Sequence, residues 1–238
     1  MSERLEEIRQ NLADVHTRIA TACSRAGRSA AEVTLVAVTK TRPADDVRAL
    51  AQLGVGDIGE NRDQEAAAKA AECADLDVRW HFVGQLQTRK ARSVARYAYM
   101  VHSVDRPRLI GALGRGARDA HRTVRCLVQV NLDPPGISGE LATRGGVPPT
   151  EAVKLADKVV EEEGLELAGV MAVASRQGDP EAGFAVLADA AAAVRERYPQ
   201  ADVVSAGMSG DLELAVAHGA THLRIGAALL GDRAPIVG

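Results

Sequence analysis

Aromatic side chains are scarce in this sequence, which has one tryptophan, three tyrosines and two phenylalanines among 238 residues. Proteins that bind single-stranded nucleic acids stack the bases on aromatic rings, and this chain has few residues from which to build such a surface. An excess of positive charge is also lacking, because 29 Lys and Arg face 32 Asp and Glu, for a net charge of -3. The composition therefore argues against a nucleic acid or a membrane surface as partner.

Cysteine is scarce as well, and Cys23, Cys73 and Cys126 stand far apart, with no Cys-x-x-Cys pair and no cluster of histidines. This spacing suits neither a zinc site nor a disulfide framework, so we expect no metal and three reduced thiols. No apolar run is long enough to cross a bilayer, and the acidic segment 1–7 does not resemble a secretory signal. We therefore expect a cytoplasmic protein that does not enter a membrane.

What the sequence does contain is a regular alternation of short apolar or β-branched runs with longer stretches of helical spacing. The predicted strands lie near Leu35 to Thr39, Val55 to Gly59, Trp80 to Val83, Tyr99 to Ser103, Val124 to Val130, Leu167 to Val173, Asp202 to Ser205 and His222 to Ile225. The helical segments between them begin at Ala44, Asp63, Leu86, Arg106, Pro149, Pro180 and Asp211. Eight repeats of strand and helix predict an α/β fold, a closed (β/α)₈ barrel of TIM type.

The segment before the barrel predicts an additional helix over about 2–26, because apolar residues recur there at spacings of three and four. We expect this helix to pack on the barrel, which spans about 33–231; a coiled-coil dimer is the alternative, and a monomer is the default. The glycine- and proline-rich stretch 133–146 predicts a loop within the barrel. The whole chain, 1–238, is thus predicted to form one domain.

Lys40 is the most informative single residue, since it ends the apolar, β-branched run 33–40. An ammonium at the end of a buried strand is costly unless it has a partner or a chemical role. One such role is a Schiff base, because apolar surroundings lower the pKa of an amine and make it a nucleophile. The alternative is a lysine that only extends into solvent past the strand end.

The loops after strands seven and eight predict an anion site, because phosphate sites in such barrels recur at these two places. The first loop, Ser205–Asp211, has two glycines that permit a tight turn and Ser209 as a candidate helix N-cap; the second, Arg224–Gly231, has Gly226 at the start of a short helical turn. Two ordinary capped turns are the alternative.

Side-chain alternation then brings Lys40 and Arg224 into one pocket, provided that their faces of strands one and eight point inward. A phosphate site, a Schiff-base lysine and a guanidinium that can donate to a ring atom together describe a cradle for pyridoxal 5'-phosphate (PLP). The spacing predicts the pocket but leaves its ligand open. His102 and Asn131, at the ends of strands four and five, are further candidates for the pocket wall; a role as polar caps of these strands is the alternative.

Several blocks of the sequence resemble the motifs of the pyridoxal phosphate homeostasis protein family, also called the YggS or PROSC family. The blocks are Val36–Pro43, Gly59–Asn61, Trp80–Gln87, Gly169–Met171, Ser205–Asp211 and Arg224–Gly226. They follow one another in the family's order from about Leu5 to Gly231, and they are unrelated to each other in sequence. The resemblance is therefore specific.

This resemblance implies a barrel similar to the N-terminal domain of alanine racemase, with PLP held as an internal aldimine on Lys40. It also implies phosphate contacts from Ser209, Gly226 and Ala227, a contact from Arg224 to the pyridine nitrogen, and Asn61 and His81 near the ring. The predicted cofactor site is Lys40, Asn61, His81, Met171, Ser205, Gly207, Met208, Ser209, Arg224, Gly226 and Ala227.

The chain departs from the family's pattern at two positions that lie just after two of these motifs. Ala227 stands where the family usually has threonine, so one hydroxyl contact to phosphate is missing. Arg89 stands where asparagine is common, and it is expected either at a basic rim of the pocket or on a solvated helix face.

The resemblance implies a protein of intracellular PLP homeostasis that holds the cofactor without evident turnover and serves PLP-dependent apo-enzymes in transient contacts. A PLP-dependent amino-acid racemase is the first alternative, although it needs a second acid or base facing Lys40, and none of the three tyrosines is well placed for that role. A cofactor-free aldolase that forms a Schiff base with a sugar phosphate is the second, with Glu60 as its best carboxylate.

Overall fold

The computed structural model describes residues 3–133, 145–175 and 178–231. Eight parallel strands close into a barrel, each paired with the next and the last paired with the first. They are β1 Thr34–Val38, β2 Asp57–Glu60, β3 Arg79–Phe82, β4 Met100–Val104, β5 Val124–Gln129, β6 Leu165–Met171, β7 Val203–Ser205 and β8 His222–Ile225. The predicted α/β barrel is confirmed, since each strand overlaps its predicted position.

Helices follow the strands on the outside of the barrel. They are α1 Glu3–Arg25, α2 Ala44–Gln52, α3 Asp63–Glu72, α4 Ala91–Val94, α5 Pro107–Asp119, α6 Ala152–Glu161, α7 Pro180–Arg197, α8 Leu212–Ala217 and α9 Ala227–Leu230. Short 3₁₀ helices cover Ala30–Glu32, Thr88–Lys90 and Pro149–Glu151. Most of the predicted stretch 133–146 lies outside the described residues.

The strands read as nearly continuous apolar runs because both of their faces are buried. One face contributes to an outer layer of apolar side chains between strands and helices. The other contributes to a smaller inner cluster of Met100, Leu127, Ala168, Met171 and Val203. This inner cluster lies on β4 to β7, and the buried polar side chains of Asp57, His81 and Arg224 on β2, β3 and β8 lie outside it.

Helix α1 packs its apolar face against α8 and α9, which follow the last two strands. Its buried side chains are Leu5, Ile8, Leu12, Val15, Ile19, Ala22 and Cys23. Burying one such aliphatic side chain contributes about 1.5–3 kcal/mol, so this face is a large source of stability. Across the described ranges, no helix has both the length and the apolar composition to cross a bilayer.

Gly169 in β6 explains one motif of the sequence in steric terms. Its φ of 147° lies at a shift of register between β5 and β6. A Cβ there would lie 1.9 Å from the carbonyl oxygen of Val203 on the neighbouring strand β7. Only glycine allows this close approach of two strands, so a side chain at 169 would open the barrel wall.

Candidate functional site

A cavity of 680 Å³ opens where the carboxyl ends of β1, β2, β7 and β8 meet. Seven of the predicted site residues line it: Lys40, Asn61, Met208, Ser209, Arg224, Gly226 and Ala227. An amine and a guanidinium therefore share one cavity, as side-chain alternation predicts. The carboxyl-terminal face is also where barrels of this type carry their chemistry.

The other four predicted residues do not line this cavity. Met171 belongs to the inner apolar cluster, and His81 and Ser205 are buried in the barrel interior. Gly207 forms a turn with a φ of 89°, where a Cβ would lie 2.7 Å from the Cβ of Ala215. Direct contact of these four residues with a ligand stays a prediction. His102 and Asn131 are likewise absent from the lining residues.

Lys40 lies in a tight turn two residues after β1 and is half-buried. The next residue, Thr41, has a φ of 66°. This left-handed conformation is rare for a β-branched residue and costs about 1–3 kcal/mol, so the surrounding structure must hold it. The strained turn fixes the point at which the Lys40 side chain enters the cavity.

A buried ionic group, which we call the Lys69 cluster, lies behind this turn and consists of Thr39, Glu60, Glu65 and Lys69. Lys69 Nζ donates to the carbonyl oxygen of Thr39 at 2.7 Å, to Glu60 Oε1 at 2.6 Å and to Glu65 Oε1 at 2.7 Å. The same Glu65 oxygen accepts the backbone N–H of Thr41 at 2.5 Å. The Lys69 cluster thus anchors the backbone on both sides of Lys40.

Glu60 is the more deeply buried of the two carboxylates in the Lys69 cluster. It is 1% exposed, and burial raises the pKa of its carboxyl even though Lys69 and Thr39 donate to it and oppose the shift. Its Oε1 also accepts the Thr39 hydroxyl at 2.6 Å. Its Oε2 is buried and has no hydrogen-bond partner among the described residues. The sequence indicated Glu60 only as a carboxylate near the pocket. Its ion pair with Lys69 could not be predicted without the fold, which brings β2 and α3 together.

Arg224 is only 5% exposed and lines the cavity from β8, the strand that pairs with β1. Its Nη1 donates to Ser205 Oγ at 2.6 Å, and its Nη2 donates to the carbonyl oxygen of Ala172 at 2.8 Å. Burial lowers the pKa of the guanidinium to about 10, which still leaves it charged at neutral pH. The fold therefore holds a fixed positive charge at the cavity.

Behind Arg224 lies a chain of hydrogen bonds, here called the histidine relay, which consists of Asp57, His81, His102 and Ser205. Asp57 Oδ1 lies 2.8 Å from His81 Nε2, His81 Nδ1 lies 2.9 Å from His102 Nε2, and His102 Nδ1 lies 2.9 Å from Ser205 Oγ. Burial lowers the pKa of both histidines, that of His102 well below 6.5. Sequence reasoning missed this relay, because its members come from four strands.

The two predicted anion loops meet at Ser209. Its hydroxyl does not cap α8, as the sequence suggested, because α8 begins only at Leu212 after Asp211. Instead, Ser209 Oγ accepts the backbone N–H of Ala228 in α9 at 3.3 Å. Asp211 Oδ1 accepts the backbone N–H of Met208 at 2.6 Å, which removes one amide from the predicted cradle.

Gly226 and Ala227 complete this rim of the cavity at the start of α9. A Cβ at Gly226 would lie 3.3 Å from the carbonyl oxygen of Val38, so the loop follows β1 closely. Ala227 is exposed at the cavity and contributes no hydroxyl. The hydroxyl of Ser209 and the first backbone amides of α9 are the polar groups that could hold an anion here.

Asn61 is fixed by a close contact between two loops. A Cβ at Gly84 would lie 2.2 Å from the carbonyl oxygen of Asn61. Only glycine at position 84 therefore allows the loop after β3 to lie this close to Asn61. Asn61 also borders a second cavity of 470 Å³, which Arg89 lines. Arg89 Nε donates to Gln87 Oε1 at 3.0 Å, and Arg89 does not line the main cavity.

The main cavity suits a small planar ligand that carries an anionic group and an electrophilic carbon. Lys40 offers an amine, Arg224 offers N–H donors, and the rim at Ser209 and Ala227 offers a hydroxyl and backbone amides. No Asp or Glu stands among the described residues that line it. In the part of the chain that the structure covers, no three His, Cys, Asp or Glu side chains converge to hold a metal ion.

Comparison with known proteins adds a family to this geometry. The alanine racemase N-terminal domain family matches residues 4–234. The pyridoxal phosphate homeostasis protein of Mycobacterium tuberculosis H37Rv is 42% identical over 250 residues, covering 97% of this chain and 95% of its own. That of Escherichia coli K12 is 35% identical over 235 residues, covering 96% and 98%. The structure of PipY from Synechococcus elongatus with PLP bound is similar with a TM-score of 0.80 and 32% identity, covering 94% of this chain and 100% of PipY.

Proposed function

The chain belongs to the family of pyridoxal phosphate homeostasis proteins, and we propose that it binds PLP between Lys40 and Arg224 and maintains the cellular supply of this cofactor. The observation that carries this proposal is the shared cavity, which is lined both by a half-buried lysine and by a guanidinium that its hydrogen bonds hold in place. The related PipY, with PLP bound, has the same fold over nearly the whole chain.

Each wall of the cavity has a separate task in this proposal. Lys40 is the attachment point, and the strained turn held by the Lys69 cluster aims its amine. Arg224 donates an N–H to the ring nitrogen, while Ser209 and the amides of α9 hold the phosphate. When bound, PLP supplies an aldehyde that combines with amines and a ring that can withdraw electrons. Arg224 does not favour a protonated ring nitrogen, so the site is better suited to holding the cofactor than to carbanion chemistry.

The geometry gives little support to the racemase alternative. A racemase needs an acid or base opposite Lys40, and none of the tyrosines lines the cavity. Tyr99 Oη instead accepts from Arg125, and Tyr198 Oη donates to Asp157. Tyr97 is largely buried away from the cavity.

The aldolase alternative would need a carboxylate at the cavity to move protons. Glu60, the best candidate in the sequence, is buried in its ion pair with Lys69 and does not line the cavity. A carrier of PLP needs no such group.

As a carrier, the protein would release PLP to apo-enzymes in brief contacts, acting as a monomer in the cytoplasm. Three cysteines, all buried and none in a disulfide, are consistent with a reducing compartment. Sedimentation with and without PLP tests the oligomeric state.

The test of the function compares wild-type protein with Lys40→Ala. We expect wild-type protein with PLP to develop a visible absorption band, which borohydride converts into a stable adduct on the peptide that contains Lys40. Lys40→Ala should retain its fold by circular dichroism and form no adduct. Lys90→Ala, at a half-buried lysine of the neighbouring cavity, is the matched control and should behave as wild type. An unchanged adduct in Lys40→Ala would exclude Lys40 as the attachment point.

A further inference from the structure

The hydrogen bonds of the histidine relay have only one possible direction. The guanidinium of Arg224 is only a donor, so Ser205 Oγ accepts from it. At the other end, Asp57 is ionised, because His81 and Arg79 donate to it and lower the pKa of its carboxyl. An ionised carboxylate only accepts, so His81 must carry its proton on Nε2.

The same reasoning fixes the two remaining links. Burial keeps His81 neutral, so its Nδ1 has no proton and accepts from His102 Nε2. His102 is neutral for the same reason, and its Nδ1 accepts the hydroxyl proton of Ser205. Each donor therefore points from Arg224 toward Asp57, and both histidines are in the Nε2–H tautomer.

We propose that the histidine relay is a positioning device for Arg224, which extends from Asp57 at the amino-terminal end of the barrel to the PLP site. Because Ser205 gives its only proton to His102, a lone pair of its oxygen faces Arg224 Nη1. In a reversed relay, Ser205 Oγ would accept from both His102 and Arg224, and its own proton would have no acceptor among the hydrogen bonds found for it in the described residues. The relay thus holds Arg224 in the orientation in which its remaining N–H groups face the cavity.

Charged and titratable groups around the relay are consistent with a neutral pair of histidines. Arg79 donates to both oxygens of Asp57, at 2.8 and 2.5 Å. The rings of Tyr99 and His222 have centroids 5.7 and 6.3 Å from that of His81. Arg125 reaches the same region through its hydrogen bond to Tyr99. Three cations, Arg79, Arg125 and Arg224, and one anion, Asp57, surround the pair, so an additional proton on either histidine is disfavoured.

The direction of the relay can be tested on the ligand-free protein. Long-range ¹H–¹⁵N spectra of uniformly labelled protein at pH 7 report the protonated nitrogen of each imidazole. We expect His81 and His102 both to be neutral and in the Nε2–H tautomer. An Nδ1–H tautomer, or a doubly protonated ring, at either residue would overturn the proposed relay. This measurement requires neither PLP nor a variant.

The effect on Arg224 is tested with Ser205→Ala, and this arm rests on the proposed function. The variant should broaden the guanidinium signals of Arg224 in the ligand-free protein and weaken PLP binding about tenfold, as loss of a group that orients a ligand-binding residue commonly does. His222→Asn is the matched control, because the His222 ring lies beside that of His81 while its Nδ1, within the described residues, bonds to Thr221 and not to the relay. It should retain both tautomers and bind PLP within about twofold of wild type.

The possible outcomes separate the two proposals. Unchanged Arg224 signals and unchanged PLP affinity in Ser205→Ala would show that the relay does not position Arg224. If wild-type protein fails to bind PLP but shows the expected tautomers and Arg224 signals, the proposed function fails and the relay stands.

Discussion

The two walls of the cavity place charge inside the barrel in opposite ways. Behind Lys40, the Lys69 cluster buries one ammonium between two carboxylates. Behind Arg224, the histidine relay uses neutral imidazoles and a hydroxyl, with its only carboxylate at the far end. One wall depends on ion pairs, and the other depends on a directed series of hydrogen bonds.

This difference shows what each wall must do. The Lys69 cluster holds a strained backbone turn, and strong charge-assisted bonds suit that task. In the proposed function Arg224 presents a charge to PLP, and a carboxylate beside it would neutralise that charge. Neutral partners can orient the guanidinium and leave its charge available. The variants below test this contrast, from the largest expected effect to the smallest.

Lys69→Met should have the largest effect, because it leaves Glu60 and Glu65 without their shared cation. Breaking a buried ion pair by removing one partner costs about 3–5 kcal/mol, and Lys69 is 6% exposed. We expect this loss in the free energy of unfolding, measured in urea, and slower attachment of PLP to Lys40. Lys158→Met, at an exposed pair with Glu161, is the control and should change stability by less than about 0.5 kcal/mol. A similarly small loss in Lys69→Met would mean that water replaces the lost ion pairs.

Acid should destabilise the Arg224 wall before the Lys40 wall. Burial lowers the pKa of His222 from 6.5 to about 4 and also lowers the pKa values of His81 and His102. A histidine with a lowered pKa in the folded protein contributes stability that is fully present above pH 6.5, the pKa of the unfolded state. This contribution is lost as the pH falls toward the pKa of the folded state. Each such group steepens the loss by about 1.4 kcal/mol per pH unit within this window.

His222→Asn isolates one part of this acid response. Urea denaturation between pH 6 and 5 should show a slope smaller by about 1.4 kcal/mol per pH unit than in wild type. Glu60 acts in the opposite sense, because its raised pKa gives a contribution that is present below 4.5 and is lost as the pH rises. The same slope in both proteins would show that His222 takes up its proton without cost in the folded state.

The sequence predicted the barrel and seven of the residues that line the cavity for the same physical reason. Strands with two buried faces give clear apolar runs, and chemistry at their carboxyl ends can be read from the residues that follow, as at Lys40 and Ser209. His81 and Ser205, also expected at the pocket, are buried in the barrel interior and do not line the cavity, so their contact with a ligand stays a prediction. Inward-pointing residues of a strand occupy different depths of the barrel, and a single sequence does not reveal which depth reaches the cavity.

Thr41→Gly tests the strain on the Lys40 wall. Glycine adopts a φ of 66° without steric cost, so the variant should be more stable by about 1 kcal/mol. The freer turn should also attach PLP to Lys40 more slowly, as followed by the rise of the visible band. His121→Gly is the control, since His121 has a φ of 51° but is exposed at the end of α5. His121→Gly should be more stable than wild type and should attach PLP at the wild-type rate. If His121→Gly is stabilised and Thr41→Gly is not, Thr41 is not strained.

Ala227→Thr should give the smallest effect and affects only the Arg224 wall. Ala227 is exposed at the cavity, and threonine would add a hydroxyl donor toward a phosphate beside the Ser209 hydroxyl. One hydrogen bond of this kind contributes about 1 kcal/mol, or about fivefold in affinity. Titration should show tighter binding of PLP but not of pyridoxal, which lacks the phosphate. Ala182→Thr, at an exposed alanine of α7 that does not line the cavity, should change neither affinity. An equal gain for PLP and pyridoxal would place the new hydroxyl against the ring, and the phosphate would then have to lie away from the start of α9.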